Sequence, residues 1–218
     1  MNERIKEIRL TKSAKYSFIT MGLVVAVAFG ITAISSIDKG ETDRVVNNTV
    51  NPPSGGNSDY IPVVVTEEEK LVKPFSVNAT IKTYYFDLDD TSSNQENALV
   101  YYNGMYSPST AIDYFYSNVS FDVKAVFEGS IIEKKVDPLY GVTLYLRSSE
   151  NPALVAVYSS LSDVKVAVGD FVKQGDIIAK AGNNTLNSTM GSHLNFSLLK
   201  DNIPINPLNY YGKNVKDI

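Results

Sequence analysis

The sequence predicts an all-β domain of antiparallel strands, preceded by a single N-terminal transmembrane helix. The chain has 218 residues, and an uncharged stretch lies near its start. From residue 75 onward, short runs rich in β-branched and aromatic residues alternate with turn residues. No apolar repeat of 3.6 residues reaches the length of a helix in that part. Many short strands separated by turns are typical of a β-sandwich or barrel.

The N-terminal region carries the pattern of a membrane anchor. Residues 16–37, from Tyr16 to Ile37, contain no charge, and as a helix they would span about 33 Å, enough to cross a bilayer. A cleavable signal peptide has a shorter apolar core, so we expect an uncleaved anchor, although Ala33-Ile34-Ser35 fits a cleavage site. Five basic residues precede the span, which places residues 1–15 in the cytoplasm and the rest outside.

One face of the predicted helix carries small residues at every fourth position, namely Gly22, Ala26 and Gly30. Such a face lets two helices approach closely, which is compatible with self-association, although the whole segment is rich in Gly and Ala.

Residues 38–74 are predicted to be a flexible extracytoplasmic linker. Asn51-Pro52-Pro53-Ser54-Gly55-Gly56 illustrates their composition, which is poor in apolar residues and rich in chain breakers. The domain then covers residues 75–212, a length that can bury a core, and residues 213–218 form a C-terminal tail.

The composition excludes two classes of function. The chain has no cysteine, so disulfides and thiol chemistry are excluded. Its net charge of −4 does not indicate a surface that binds nucleic acid.

The strands of the domain are predicted from β-forming runs. Thr80–Phe86 and Ala98–Tyr102 are separated by a polar loop over residues 89–97. Two hairpins are predicted downstream: Phe121–Phe127 with Ile131–Val136 around Glu128-Gly129-Ser130, and Val142–Leu146 with Leu154–Tyr158 around residues 148–152.

Residues 164–179 form a strand–turn–strand pattern in which Val and Ile alternate. The turns contain Gly169-Asp170 and Gly175-Asp176, residues suited to positive φ and to side-chain capping. A similar pattern occurs in lipoyl-type domains and in membrane-fusion adaptors of export pumps. This chain lacks the modifiable lysine at a hairpin tip and the inserted helical hairpin that those proteins need, so this alternative is disfavoured.

The single histidine of the chain lies in Gly191-Ser192-His193-Leu194-Asn195-Phe196. This segment resembles the Gly-x-His-x-His-Phe motif of the lysostaphin-type (LytM-like) zinc endopeptidases, which cut peptidoglycan cross-bridges. Residues 109–113, Ser-Thr-Ala-Ile-Asp, resemble that family's His-x-Gly-Ile-Asp, and residues 158–161 resemble its Tyr-x-His-Leu. The resemblance implies an antiparallel β-sheet groove fold for residues 75–212.

The same resemblance implies that the metal site is degenerate. The zinc-ligand positions are occupied by Ser109, Asp113 and Asn195, whereas His193 takes the acid/base position and Ser160 replaces an auxiliary histidine. A catalytic zinc ion needs three ligands drawn from His, Cys, Asp and Glu. We therefore expect no catalytic residue, no metal and no cofactor, and we interpret these five residues as vestigial active-site positions.

Residues 98–113 also resemble the Ala-Leu-Val-x-Tyr…Tyr-x-Pro-x-x-x-Ile-Asp segment of the stage II sporulation protein Q family. That family has one membrane anchor and one LytM-like domain. The resemblance implies a protein of the forespore membrane whose domain lies in the intermembrane space. There it binds stage III sporulation protein AH of the mother-cell membrane, builds a ring or channel complex and supports engulfment. The alternatives are a non-catalytic activator of a cell-wall amidase and a zinc peptidoglycan endopeptidase with an unusual ligand set.

Tyrosines are concentrated in the first half of the predicted domain. They suit the floor of a glycan-binding groove or a protein interface, but strands in general favour Tyr.

Overall fold

The computed structural model describes residues 68–218, which form an antiparallel β domain. Twelve strands and one short helix, α1 (Ser92–Glu96), lie in this part of the chain. The strands are β1 (Thr80–Thr83), β2 (Leu99–Tyr102), β3 (Met105–Pro108), β4 (Ile112–Phe115), β5 (Asp122–Lys124), β6 (Gly129–Asp137), β7 (Gly141–Ser148), β8 (Leu154–Ser162), β9 (Phe171–Val172), β10 (Ile177–Ala181), β11 (His193–Lys200) and β12 (Ile203–Ile205).

Ten of these strands form one sheet in the order β1-β4-β11-β8-β7-β6-β9. β12 pairs with the second half of β11, and β10 joins β8 to β5. β2 and β3 form a separate two-stranded ribbon. Each of these pairings is antiparallel, so the predicted fold class is confirmed for the domain.

The predicted transmembrane helix and cytoplasmic tail lie outside the described residues. Within residues 68–218, no helix has the length and apolar character needed to cross a membrane.

The two faces of the sheet differ in character because strand side chains alternate between them. One face carries the hydrophobic core, in which Leu146, Tyr158 and Phe196 are fully buried. The other face, here called the open face, carries Val155 and Val157, which are buried but lie outside the core cluster. The open face includes two of the predicted site residues, Asp113 and Asn195.

One predicted hairpin is confirmed and the other is wrong. β7 and β8 pair as expected. Residues 121–127 do not pair with residues 131–136, because β5 pairs with β10 whereas β6 pairs with β7 and β9. Gly129 begins β6 instead of turning the chain. A Cβ atom there would lie 1.9 Å from the backbone oxygen of Arg147, so glycine allows the close approach of β6 and β7.

The glycine and aspartate turns of residues 164–179 have the geometry that the sequence predicts. Gly169 and Gly175 have φ values of +94° and +85°. Asp170 accepts a hydrogen bond from the backbone N–H of Ala167, three residues earlier, at 2.8 Å. Asp176 accepts the equivalent bond from residue 173, also at 2.8 Å. These carboxylates cap the turns that lead into β9 and β10.

The folded domain extends beyond the predicted boundaries at both ends. Leu71 is 1% exposed and belongs to the core, although residues 38–74 were assigned to the linker. At the other end, Val215 and Ile218 are also core residues, and the Asn151 side chain donates to both of their backbone oxygens at 3.2 and 3.1 Å. The apolar residues at each end are few and lie among charged residues, so composition alone predicts that these segments are exposed to solvent and not packed in the core.

Deleting residues 213–218 tests this extended boundary. We expect the free energy of unfolding to fall by about 3 kcal/mol or more, because two buried side chains are lost from the core. Urea denaturation of residues 60–218, with and without the last six residues, measures the change. The Lys216→Ala variant removes from the same segment only an exposed ion pair with Glu68, which contributes little to stability, and should shift the midpoint far less than the truncation. Equal midpoints for the parent and the truncated protein would contradict the assignment.

Candidate functional site

Two of the predicted site residues, Asp113 and Asn195, meet on the open face, where β4, β11 and β8 run side by side. Their register places Asn195 of β11 opposite Asp113 of β4 on one side and opposite Ser159 of β8 on the other. The row continues into β7, where the Thr143 hydroxyl donates to the Ser159 oxygen at 3.0 Å. The sheet thereby brings together residues that are up to 82 positions apart in the chain.

Asp113 lies at the β4 end of this row and is 1% exposed. One carboxylate oxygen accepts from the Asn195 amide at 2.6 Å, and the other accepts from the Asn187 amide at 2.8 Å. Hydrogen bonds to an ionised group are stronger than those between neutral groups. The carboxylate that would face a metal ion therefore has an amide N–H donor on each oxygen.

Asn187 was not predicted as a site residue. It lies in the loop between β10 and β11, and its own backbone N–H donates to the Asn184 side chain at 2.7 Å. Asn187 itself lies in no apolar pattern and in none of the quoted family motifs, so the sequence carries no signal for this contact.

His193 and Ser160 form a second, fully buried centre. The Nδ1 atom of His193 lies 2.7 Å from the Gly191 carbonyl oxygen, which can only accept, so Nδ1 carries a proton. In the neutral imidazole, Nε2 then accepts from the Ser160 hydroxyl at 3.1 Å. The Asn184 amide donates to the same hydroxyl at 2.8 Å. Every polar atom of the histidine ring thus has a partner inside the protein.

Ser109 bonds within its own loop. Its hydroxyl donates to the Ala111 carbonyl at 2.8 Å and accepts from the Ala111 N–H at 3.2 Å. Ser109, Asn187 and Asn195 together line a pocket of about 50 Å³, with Tyr140 at its wall. Desolvation, followed by the charges of Asp113 and of residue 137, raises the pKa of Tyr140.

The donor set does not fit a catalytic zinc ion. Within residues 68–218, no cluster of three His, Cys, Asp or Glu side chains is arranged to hold a metal. Asp113 is the one strong ligand among the three predicted positions, and the two amide N–H groups on its oxygens point their positive ends where a cation would bind. Serine hydroxyl and asparagine amide are weak zinc ligands. No chemical step through zinc follows from this geometry.

Comparison with known proteins identifies the family of this chain. The model of Peptidase family M23 matches residues 107–207. Stage II sporulation protein Q of Bacillus subtilis (strain 168) is 32% identical over 201 residues, which cover 89% of this chain and 70% of the relative. The chain belongs to the stage II sporulation protein Q family. The resemblance that the sequence motifs suggested is thereby confirmed.

Solved structures support the same family. A chain in the structure of the SpoIIQ-SpoIIIAH pore forming complex is 34% identical with a TM-score of 0.64, covering 69% of this chain and 96% of that one. A chain in a second SpoIIIAH and SpoIIQ complex is also 34% identical, with a TM-score of 0.60 and coverage of 64% and 99%. A zinc containing peptidase from Vibrio cholerae is 21% identical over 64% of this chain and 39% of its own, with a TM-score of 0.51. This last similarity shows the fold alone.

Replacing Asn195 by Ala tests the amide–carboxylate network. The variant leaves one oxygen of the buried Asp113 without its donor, and we expect a loss of about 1–3 kcal/mol in the free energy of unfolding. Asn183→Ala is the matched control, because Asn183 is exposed in the loop between β10 and β11. Urea denaturation of both variants gives the comparison. Equal losses for the two would show that the network contributes nothing measurable.

Proposed function

We propose that this chain is a catalytically inactive, membrane-anchored protein of the forespore that binds a partner across the intermembrane space. Residues 16–37 anchor it, with residues 1–15 in the cytoplasm and the β domain outside. The partner is a SpoIIIAH-like protein of the mother-cell membrane, with which it builds a ring or channel complex and supports engulfment. The observation that carries the proposal is the 34% identity to SpoIIQ chains solved in complex with SpoIIIAH.

The geometry of the site supports the absence of catalysis. A zinc hydrolase activates water on an ion that three protein ligands hold. Here the buried Asp113 is bonded to two amides, and His193 is 0% exposed. A general acid or base must come within hydrogen-bond distance of the substrate, directly or through one water, which His193 does not do in this arrangement.

A second feature supports protein binding. The ribbon of β2 and β3 lies within residues 97–112, which contain no charged residue. Tyr101 and Tyr106 lie opposite each other on one face of the ribbon, 58% and 61% exposed, with ring centroids 4.9 Å apart. Tyr102 and Met105 are opposite each other on the other face and are also exposed. Aromatic residues and Met are enriched at protein interfaces, and contiguous exposed apolar patches mark them.

The segment between the anchor and the domain suits this role. Residues 38–67 number 30, and a chain of their composition would have an end-to-end distance of about 30 Å. We propose that they tether the domain at a distance from its own membrane. Two partners tethered to facing membranes have a raised effective concentration, so a modest intrinsic affinity is enough for complex formation.

Metal analysis tests the catalytic part of the proposal. After incubation with zinc and dialysis, residues 60–218 should retain far less than one zinc ion per molecule, and they should not cleave muropeptides. A Ser109→His, Asn195→His double variant restores two ligand side chains beside Asp113 and serves as the comparison for metal uptake. Stoichiometric zinc in the parent protein, together with cleavage that a chelator abolishes, would make the chain a zinc endopeptidase.

Direct binding tests the partner. Residues 60–218 mixed with the soluble domain of the SpoIIIAH-like protein from the same organism should form a complex at tens of micromolar, as measured by calorimetry. A Tyr101→Ala, Tyr106→Ala double variant should bind at least about tenfold more weakly, since exposed aromatic residues dominate interface energies. The matched control is Val168→Ala, an exposed apolar residue next to β9, at the other end of the sheet order from β1 and β4.

The outcomes of that measurement separate the hypotheses. Absence of a complex, repeated with the full chain in detergent, would refute the partner assignment and favour the amidase activator. Normal affinity of the tyrosine double variant would keep the partner and exclude the ribbon as its contact surface.

A further inference from the structure

The ribbon of β2 and β3 ends in an Asn-Gly turn. Asn103 and Gly104 connect Tyr102 to Met105, which are opposite each other in the strand register. Their φ values are +50° and +83°, positive at both positions as a type I′ turn requires. Residues 103–104 are the one Asn-Gly pair in the chain. The turn thus places an amide side chain directly before a residue that has no Cβ atom.

The turn is open to solvent and is not held by internal hydrogen bonds. Asn103 and Gly104 are both exposed, and a Cβ atom added to Gly104 would meet no atom within 4 Å. Within residues 68–218, the Asn103 side chain forms no hydrogen bond, and no turn or loop hydrogen bond uses the peptide group between residues 103 and 104. Water therefore reaches both residues, and this peptide group can rotate without breaking a bond.

We infer that Asn103–Gly104 is a site of spontaneous covalent modification. The backbone nitrogen of Gly104 gives up its proton to solvent and attacks the Cγ atom of Asn103, forming a C–N bond. The Cγ–Nδ2 bond then breaks, and Nδ2 takes up a proton and leaves as ammonia, which gives a five-membered succinimide ring. Water opens the ring at either carbonyl and leaves the carboxylate of aspartate or isoaspartate. The chain and water supply every reactant.

The hairpin geometry allows the ring to close. Closure eclipses Cβ of Asn103 with the nitrogen of Gly104 about the Cα–C bond, which in an L-residue corresponds to a ψ of about −120°. The first central residue of a type II′ turn has this ψ together with a positive φ, which Asn103 already has. Two-residue hairpins accept types I′ and II′ alike, and glycine tolerates φ of either sign. A flip of one peptide group therefore reaches the reactive geometry while β2 and β3 stay paired.

Another turn of the domain provides an internal comparison. Asn202 lies between β11 and β12, is exposed and has a φ of +65°. The next residue is Ile203, whose β-branched side chain crowds the nitrogen that would attack. Ile203 is also paired with Lys200 in the sheet. The two asparagines thus share exposure and a positive φ, and they differ in the residue that follows.

The modification places a negative charge on a surface that has none, because residues 97–112 contain no charged residue. The new carboxylate lies next to Tyr102 and Met105, and isoaspartate also adds one carbon atom to the backbone of the turn. Burial of an ionised group without a partner is unfavourable. The consequence for binding rests on the proposed function: where the ribbon contacts a protein partner, the modified form binds more weakly than the fresh one.

Peptide mapping of residues 60–218 measures the reaction. This fragment is suitable because all residues of the described core lie within 71–218, and the solved SpoIIQ chain matches over 96% of its length. The protein is incubated in mildly alkaline buffer, digested under acidic conditions and analysed by mass spectrometry, with an isoaspartyl methyltransferase to label isoaspartate. We expect conversion at Asn103 to be at least about tenfold faster than at Asn202, a difference of about 1.4 kcal/mol in activation free energy.

Asn103→Gly is the matched unreactive variant, because Gly-Gly also suits a type I′ turn but has no amide to lose. It should remove most of the isoaspartate that the methyltransferase labels. In calorimetry with the SpoIIIAH-like partner, incubation should weaken binding by the parent protein and leave binding by Asn103→Gly unchanged.

Two results would overturn the inference: conversion at Asn103 no faster than at Asn202, or conversion at Asn103 in urea but not in the folded fragment. The first would mean that the following residue does not control the reaction, and the second that the paired strands prevent the peptide flip. Absence of binding by the fresh parent protein would instead refute the proposed function, since the peptide map involves no partner.

Discussion

The register of β11 between β4 and β8 is the constraint on which both the core and the site depend. Phe196 is opposite a core residue in each neighbouring strand, whereas Asn195 is opposite the polar residues Asp113 and Ser159. Because side chains alternate along a strand, a slip of one residue would move Phe196 to the open face and bury Asn195 in the core. The hydrophobic effect that fixes the core therefore also assembles the polar row.

At Asp113, the numbers of hydrogen-bond acceptors and donors match. A carboxylate has two acceptor oxygens, and the two asparagine amides that face Asp113 supply one N–H donor each. A buried charge is tolerated when it is hydrogen-bonded in this way. Replacing zinc-ligating side chains by neutral ones would by itself leave the buried Asp113 carboxylate without a compensating partner. Asn187, from a loop that the strand pattern does not define, supplies the second donor and completes the compensation.

Sequence patterns predict the features here that follow from local periodicity and turn chemistry. The antiparallel class, the β7–β8 hairpin and the Gly–Asp turns belong to this group. Features that depend on long-range packing were missed. Gly129 has the local appearance of a turn, yet its role is to let β6 approach β7. The core contacts of Leu71 and Ile218 join the two ends of the domain, and no window of sequence reports a contact of that length.

Hydrogen bonding and exposure divide the β domain into two kinds of region: those whose polar side chains are bonded inside the protein and those whose side chains are exposed to solvent. In the Asp113 row and at His193, internal hydrogen bonds satisfy the side chains, so an incoming ligand would have to break bonds that already exist. At the ribbon, in contrast, the aromatic ring of Tyr101 is more than half exposed. Binding a partner there breaks no hydrogen bond within the protein. This contrast is the energetic reason for placing the proposed partner contact at the ribbon and not at the Asp113 row.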